Sequence, residues 1–173
     1  TDTVANQSVA DQALIDRVVK IFEDRALSNP TAAYSHEGCY REFLGDIDDS
    51  NVKELLDVMI LSVQEIVQDM GVECSEIKAW CNVNKPESYN EVHTHPMSLV
   101  SGCFYLSAEG TGDLTFVHPA NQMMLAMVSD PTVMNASLEP INNSVVVFPS
   151  WYPHRVETNK SDKNRVNIAF SIS

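Results

Sequence analysis

The sequence predicts a mainly β fold, a small β-sandwich or jelly roll, with helices over one of its sheets. Two helical stretches occupy the first part of the chain, and about eight short β-like runs follow from about residue 75. No internal repeat, linker or low-complexity segment interrupts the 173 residues, a length typical of one domain. We therefore predict a single domain over 1–173, with a helical part over about 1–72 and a jelly-roll core over about 75–173.

The first helix is indicated by a capping pattern and a helical period. Ser8 is in place to cap the helix, with Asp11 at the capping-box position, and apolar residues recur at helical spacing from Leu14 to Phe22. The helix is expected to end before Asn29-Pro30, because proline disfavours helical backbone in the residue before it.

A second helix is predicted to begin near Ser50. Its wide apolar stripe continues to Met70, and Gly71 is expected to end the helix. Residues 31–49, between the two helices, have mixed character and are predicted as a loop, with Tyr34 and Tyr40 among the side chains that attach it to the body.

The strands are indicated by short runs of β-forming residues that turn residues separate, which is typical of sandwiches and jelly rolls. The predicted strands are Glu76–Val83, Glu91–His95, Leu99–Ser107, Asp113–Val117, Gln122–Val128, Ser144–Phe148, His154–Thr158 and Arg165–Ile172.

The last predicted strand has two different faces. Its apolar face is expected to pack under the helices, whereas its other face is small and polar and carries one arginine. The apolar face consists of Val166, Ile168, Phe170 and Ile172, and the polar face of Arg165, Asn167, Ala169 and Ser171. A polar face of this kind predicts an interior pocket that holds a ligand.

Charge and composition limit the classes of partner. The chain has 24 acidic against 11 basic residues, a net charge of −13, which disfavours nucleic acid as a main partner and favours basic peptides. No apolar run approaches the roughly 20 residues that span a bilayer, and the first residues lack a secretory pattern.

The four cysteines lack metal-site spacing and predict free thiols in a reducing cytoplasm.

Three histidines are the strongest candidates for a metal site. His93 and His95 are two residues apart in a predicted strand, so both imidazoles are expected on one face, and His154 lies far away in sequence after a turn. Imidazole suits iron, zinc, copper and nickel. The spacing alone also fits two polar residues on a wet strand face, so it leaves metal binding open.

The segment 80–172 resembles the Fe(II)/2-oxoglutarate-dependent dioxygenase superfamily, in particular its prolyl-hydroxylase-like members and a group of bacterial and phage oxygenases. Four separate pieces carry the resemblance by their order and spacing. They are His93-Thr94-His95, the strand Ser101–Leu106, the strand Val145–Ser150 that leads to His154, and Arg165-Val166-Asn167. The resemblance implies a double-stranded β-helix (jelly roll) covered on one sheet by two or more helices.

The resemblance implies that His93 and His154 are iron ligands, but the residue at the third ligand position differs from the family pattern. The family places a carboxylate where this chain has His95, which leaves the site one negative charge short. We expect His93, His95 and His154 to hold one metal ion, with Glu91 or Asp113 as the alternative source of a carboxylate.

The resemblance also implies how the co-substrate is held. Arg165 would bind the distal carboxylate of 2-oxoglutarate, because its planar fork of donors matches a carboxylate. Tyr105 would donate its hydroxyl to the same carboxylate, and Asn82 and Asn167 are weaker candidates for the same pocket.

The implied activity is that of an Fe(II)- and 2-oxoglutarate-dependent dioxygenase in the cytoplasm of a bacterial or phage-infected cell. Such an enzyme uses O2, releases succinate and CO2, and hydroxylates a C–H bond of a peptide or protein residue of the prolyl kind or of a small amino-acid-like substrate. The alternatives are a cupin-like three-histidine metal-binding protein and a dioxygenase that does not use 2-oxoglutarate. A hydrolase with Cys81 or Cys103 as nucleophile lacks any supporting motif.

Overall fold

The structure, a computed structural model, describes residues 4–5, 8–29, 39–120 and 135–173. Within these residues it contains two α-helices, one 3-10 turn and ten β-strands. The helices are α1 (Gln12–Ser28) and α2 (Ser50–Asp69), and the 3-10 turn is Leu44–Asp46. The strands are β1 (Val4–Ala5), β2 (Cys39–Phe43), β3 (Ile77–Asn84), β4 (Asn90–His93), β5 (Val100–Ser107), β6 (Leu114–Val117), β7 (Asn135–Leu138), β8 (Ser144–Pro149), β9 (His154–Val156) and β10 (Arg165–Ile172).

The strands form a major and a minor antiparallel sheet. The major sheet has the order β1-β8-β5-β10-β3-β2, and the minor sheet has the order β4-β9-β6-β7. Consecutive strands of the chain repeatedly fall in different sheets, as in a double-stranded β-helix. This architecture confirms the jelly roll that the sequence predicts.

Side-chain caps set where both helices begin. Asp11 accepts a hydrogen bond from the backbone N–H of Leu14 and caps α1, while Asp49 accepts from Val52 and caps α2. The prediction that Ser8 caps the first helix is wrong, because its hydroxyl instead accepts a hydrogen bond from the Asn143 side chain. Gly71 has a φ of +71°, the left-handed conformation that ends α2 as predicted.

The helices cover the outer face of the major sheet. Their apolar faces share one buried core with the apolar side of β10, including Ile168 and Phe170. A second, smaller apolar cluster joins Val146 and Phe148 of the major sheet to Leu114 of the minor sheet. The inner faces of the two sheets therefore meet around a space that apolar residues only partly fill.

Two regions differ from the sequence prediction. Part of the predicted loop 31–49 forms β2, which pairs with β3, so the N-terminal part of the chain also supplies an edge strand. The strand Asn135–Leu138 was not predicted, because its residues are mostly small and polar. The predicted strand Gln122–Val128 and Tyr34 lie outside the described residues.

The division into one domain remains a prediction. The structure does test the expectation of no membrane span: none of the helices in the described ranges is long and apolar enough to cross a bilayer.

Candidate active site

The inner faces of the two sheets enclose a cavity of about 470 Å³. This volume lies within the range of roughly 300–1,000 Å³ that is usual for small-molecule sites. All seven residues that the sequence singled out as site candidates line it: Asn82, His93, His95, Tyr105, His154, Arg165 and Asn167. The cavity is therefore the candidate active site.

The three histidines come together in the wall of this cavity. One ligand nitrogen from each of His93, His95 and His154 lies within 4.8 Å of the others. His93 and His154 are cross-strand partners in the β4–β9 pair, and their ring centroids are 4.3 Å apart. Such a cluster has the donor chemistry and the spacing for one divalent metal ion.

Backbone carbonyls orient two of the three imidazoles. Nδ1 of His93 lies 2.8 Å from the carbonyl oxygen of Glu91, and Nδ1 of His154 lies 2.9 Å from that of Tyr152. Because a carbonyl oxygen only accepts hydrogen bonds, each Nδ1 donates its proton, and each Nε2 keeps its lone pair. This arrangement is typical of histidines that bind a metal through Nε2.

His95 reaches the cluster from a loop. We expected His93 and His95 on one strand face, but β4 ends at His93 and His95 lies beyond it. The backbone N–H of His95 donates to the Ser150 carbonyl at 3.0 Å, which ties this loop to the turn before His154. Nε2 of His95 thereby lies 3.3 Å from Nε2 of His154.

Burial keeps two of these imidazoles neutral. It lowers the pKa of both His95 and His154 to about 4, with smaller contributions in the same direction from neighbouring histidines and, for His95, from Arg41. Only a neutral imidazole binds a metal, so both groups are ready to bind one at neutral pH.

Arg165 and Tyr105 form a buried polar pair that lines the same cavity. The Arg165 side chain is only 2% exposed and the Tyr105 side chain 1%, and the guanidinium lies 5.2 Å from the centre of the phenol ring. One guanidinium nitrogen of Arg165 donates to the Gly112 carbonyl. Arg165 Nε and the Tyr105 hydroxyl have no hydrogen-bond partner of normal geometry among the described residues.

The alternation of β10 places its polar side chains in this cavity. Asn167 pairs with Asn82 of β3 on one side and with Tyr105 of β5 on the other, so the three side chains form a polar row across the major sheet. Both asparagines line the cavity, and Asn167 is 5% exposed. Burial also raises the pKa of the Tyr105 hydroxyl, which stays protonated and able to donate.

Sequence reasoning missed three further cavity residues. Arg41, on β2, extends the polar row beyond Asn82, and Trp80 of β3 lies beneath its guanidinium. Asn84 is buried and donates to the Asn90 side chain at 3.1 Å. The feature that could have indicated Arg41 is the pair of charged residues Arg41-Glu42. In a strand, alternation places one of these two side chains on each face of the sheet.

The other candidates from the sequence lie outside the metal cluster. The donor group within the described ranges contains the three histidines and neither Glu91 nor Asp113. Glu91 lines the cavity and contributes its backbone carbonyl to His93. Trp151 is 63% exposed, and neither it nor Tyr152 lines the cavity.

Comparison with solved structures gives the same fold. A prolyl-4-hydroxylase from Pseudomonas putida superposes with a TM-score of 0.73 at 16% identity, over 99% of this chain and 92% of that one. A prolyl hydroxylase from Trichoplax adhaerens, solved with a peptide fragment of the hypoxia inducible factor oxygen degradation domain, gives 0.70 at 13% identity, over 98% and 81%. The viral collagen prolyl hydroxylase of Paramecium Bursaria Chlorella virus-1, a 2-oxoglutarate complex, gives 0.67 at 12% identity, over 99% and 96%.

Sequence comparison assigns the family. No match was found among curated protein sequences. The family model described as "Putative 2OG-Fe(II) oxygenase" matches residues 78–171, which run from β3 through β10 and include the three histidines, Tyr105 and Arg165. The chain therefore belongs to this 2OG-Fe(II) oxygenase family.

Proposed function

We propose that this protein is an Fe(II)- and 2-oxoglutarate-dependent dioxygenase that hydroxylates its substrate and releases succinate and CO2. The observation that carries the proposal is the presence of two complementary groups in one cavity. A cluster of three imidazole donors and a buried arginine–tyrosine pair line the same cavity, and among the described residues Arg165 Nε and the Tyr105 hydroxyl have no hydrogen-bond partner.

His93, His95 and His154 are the proposed iron ligands. The tautomers of His93 and His154 present Nε2, and burial holds His95 and His154 neutral, so the donors fit a divalent ion without prior loss of a proton from these two. The bound iron would supply the redox chemistry with O2, while the protein fixes the geometry of the ligands and shields the cavity.

Arg165 and Tyr105 are the proposed partners of the distal carboxylate of 2-oxoglutarate. Buried polar atoms are nearly always hydrogen-bonded, and Arg165 Nε and the Tyr105 hydroxyl are both donors. A carboxylate accepts several hydrogen bonds and carries the charge that a buried guanidinium requires. Asn82 and Asn167, beside this pair in the polar row, are proposed to contact the co-substrate between its two carboxylates.

The Arg165–Tyr105 pair also separates this proposal from its alternatives. Neither a cupin-like metal-binding protein nor a three-histidine dioxygenase without 2-oxoglutarate requires a buried anion clamp in the same cavity as the metal site. A cysteine hydrolase is further disfavoured, because burial raises the pKa of the Cys81 and Cys103 thiols to about 12 and keeps both protonated.

The prime substrate is proposed to be a peptide or protein residue of the prolyl kind, or a small amino-acid-like molecule. The fold shared with prolyl hydroxylases supports the first class, and the size of the cavity accommodates the second. The net charge of −13 favours substrates with positive charge in their approach from solution.

Succinate release tests this function. Purified protein with Fe(II), ascorbate, 2-oxoglutarate and O2 is expected to form succinate, slowly without a prime substrate and faster with one. His154→Ala should abolish the product, whereas His118→Ala, an exposed histidine outside the metal cluster, should not change it. If the parent protein forms no succinate and does not bind 2-oxoglutarate, the cupin-like alternative is favoured.

A further inference from the structure

Ser150 is a buried residue in the turn between β8 and β9, and its backbone holds the loop that carries His95. Its carbonyl oxygen accepts a hydrogen bond from the His95 N–H at 3.0 Å, and its own N–H donates to the Leu99 carbonyl at 3.1 Å. The same turn continues into His154, the first residue of β9. One turn therefore carries one of the proposed metal ligands and holds the loop of another.

The loop between β4 and β5 has little apolar support of its own. Met97 is 94% exposed and Leu99 is 60% exposed, so neither side chain anchors the loop by burial. Met97 also has a φ of +67°, a left-handed conformation that costs free energy for a residue with a side chain. Such a conformation persists only where surrounding contacts hold it, and these contacts include the two hydrogen bonds to Ser150.

The side chain of Ser150 connects this turn to the centre of the major sheet. Its hydroxyl oxygen lies 2.7 Å from that of Ser101 on β5, which in turn lies 3.2 Å from that of Ser171 on β10. All three serines are buried, and Ser101 and Ser150 are 0% exposed. Three hydroxyls thus form a chain of contacts from the central strands to the turn.

The volume of these side chains does not explain their hydroxyls. A buried hydroxyl costs free energy unless it is hydrogen-bonded, and alanine would fill nearly the same space without that cost. The residue two positions before Ser171, on the same face of β10, is indeed Ala169. What the serines add is a set of hydrogen bonds that fixes the turn relative to the sheet.

We propose that Ser150 is a positioning residue for His95, and that its hydroxyl contact with Ser101 holds it in place for this role. The proposal rests on the metal site proposed above and specifies what fixes its third ligand. Strand register positions His93, whereas His95 lies beyond the end of β4 and is held through the Ser150 carbonyl. The anchored turn keeps Nε2 of His95 at 3.3 Å from Nε2 of His154, close enough for both to bind one ion.

Binding of Co(II) tests the proposal without turnover. Co(II) is a divalent ion of the same series as Fe(II), and its visible absorption reports the number and arrangement of its ligands. Ser150→Ala should bind Co(II) about ten- to hundredfold more weakly than the parent, the scale for removing a contact that orients a ligand. The spectrum of Ser150→Ala at saturation should shift toward that of saturated His95→Ala.

Ser101→Ala provides a second, independent variant. It leaves Ser150 intact and removes only the hydroxyl that holds it, so it should reproduce both the weaker binding and the spectral shift. It also keeps the test available if Ser150→Ala does not fold, which far-UV circular dichroism checks.

A further arm asks whether the effect passes through His95. In a His95→Ala background, the addition of Ser150→Ala should not weaken Co(II) binding further, because the ligand that Ser150 positions is already absent. The matched control is Ser144→Ala, which removes a buried hydroxyl that donates to the Ile141 carbonyl at the other end of β8. It also loses a buried hydrogen bond, which urea unfolding of the metal-free protein measures, yet it should bind Co(II) like the parent.

Three results would overturn the proposal: parent-like Co(II) affinity in either Ser150→Ala or Ser101→Ala, equal weakening in Ser144→Ala, or a further loss of the same size when Ser150→Ala is added to His95→Ala. The second result would mean that any lost hydrogen bond in this sheet weakens the site. Failure of the parent to bind Co(II), or parent-like binding in His154→Ala, would instead refute the proposed metal site and this proposal with it.

Discussion

His93 and His154 face each other directly across the β4–β9 strand pair, with ring centroids 4.3 Å apart. Each donates Nδ1–H to the carbonyl of the residue two positions before it, Glu91 and Tyr152 respectively. The register of one antiparallel pair thus brings together two proposed metal donors that lie 61 positions apart in the chain. The third proposed donor, His95, depends on the loop contact to Ser150 instead.

Strand pairing positions His93 and His154, whereas a loop contact positions His95. We therefore expect variants of these histidines to affect iron binding to different degrees. His93→Ala and His154→Ala should abolish it, and His95→Ala should lose most of it, more than the roughly 10–100-fold typical of changes around the ligands. His95→Asp should keep binding, because it supplies a donor and restores a negative charge. Equilibrium dialysis against Fe(II) measures these affinities, with His118→Ala as the matched control.

Unchanged iron affinity in His95→Ala would contradict the three-histidine site. His95 would then be a bystander of the cluster, and the third donor would be a carboxylate such as Glu91 or a water molecule. Far-UV circular dichroism checks that each variant retains its helices, which lie on the far side of the major sheet.

Variants of Arg165 and Tyr105, the proposed anion clamp, should weaken 2-oxoglutarate binding much more than they lower the stability of the ligand-free protein. Arg165→Ala is expected to weaken 2-oxoglutarate binding by about 2–5 kcal/mol, the scale for removing one partner of a buried charge pair. Tyr105→Phe should weaken it by about 1.5–3 kcal/mol. The same Tyr105→Phe change should leave the ligand-free protein about as stable, because among the described residues the buried hydroxyl has no hydrogen-bond partner of normal geometry.

Calorimetric titration with 2-oxoglutarate, paired with urea unfolding of the ligand-free variants, measures both effects. Arg165→Ala should also lose a little stability with its bond to the Gly112 carbonyl. Parent-like affinity in both variants would place the co-substrate elsewhere.

The stability of the metal-free protein should fall as pH falls from about 6.5 toward 4. His95 and His154 have pKa values near 4 in the folded protein, against about 6.5 in the unfolded chain. The unfolded chain therefore binds more protons over this range, so the free energy of unfolding rises with pH. Urea unfolding with a chelator at pH 7 and pH 5 measures the slope.

His154→Gln provides the comparison, since other titrating groups contribute equally to parent and variant. The parent should lose more stability between the two pH values than His154→Gln. Identical losses would mean that the His154 imidazole is not held neutral by burial.

Gly102 should be intolerant of a side chain. A Cβ at this position would lie 2.2 Å from the Phe170 ring and 2.5 Å from the Val146 carbonyl oxygen. Gly102→Ala should therefore cost about 1–3 kcal/mol of stability, the usual scale of overpacking. Gly45→Ala, where a Cβ meets nothing within 4 Å, is the control, and thermal unfolding compares the two. Equal melting temperatures would show that β5 and β10 are less closely packed than described.

The predictable part of the fold and the site is the part with strong local patterns. The alternation of residues in β10 predicts that Arg165 and Asn167 share one face, and both line the cavity. It also predicts that Ile168 and Phe170 share the other face, and both lie in the core under the helices. The start of α2 and its stop at Gly71 likewise follow from local backbone and capping chemistry. These features depend on neighbours within a few residues, so a single sequence suffices to predict them.

The parts that the sequence could not predict depend on long-range contacts. β2 is a short strand that forms because β3 pairs with it and because Glu42 contacts Arg25 of α1. Its position brings Arg41 into the cavity, and the alternation of Arg41 and Glu42 indicates this placement only once residues 39–43 are known to form a strand. His95 likewise reaches the metal cluster from a loop, through a backbone bond to Ser150 rather than through strand alternation.

Metal-dependent binding of 2-oxoglutarate tests most directly whether His93, His95, His154 and Arg165 together form one iron and co-substrate site. Under anaerobic conditions, 2-oxoglutarate should bind at one equivalent when Fe(II) is present. It should bind far more weakly without the metal, in His154→Ala and in Arg165→Ala, whereas Arg17→Gln, which removes an exposed arginine of α1, should behave as the parent. Binding that is equally tight with and without Fe(II), or that is absent with it, would contradict the account.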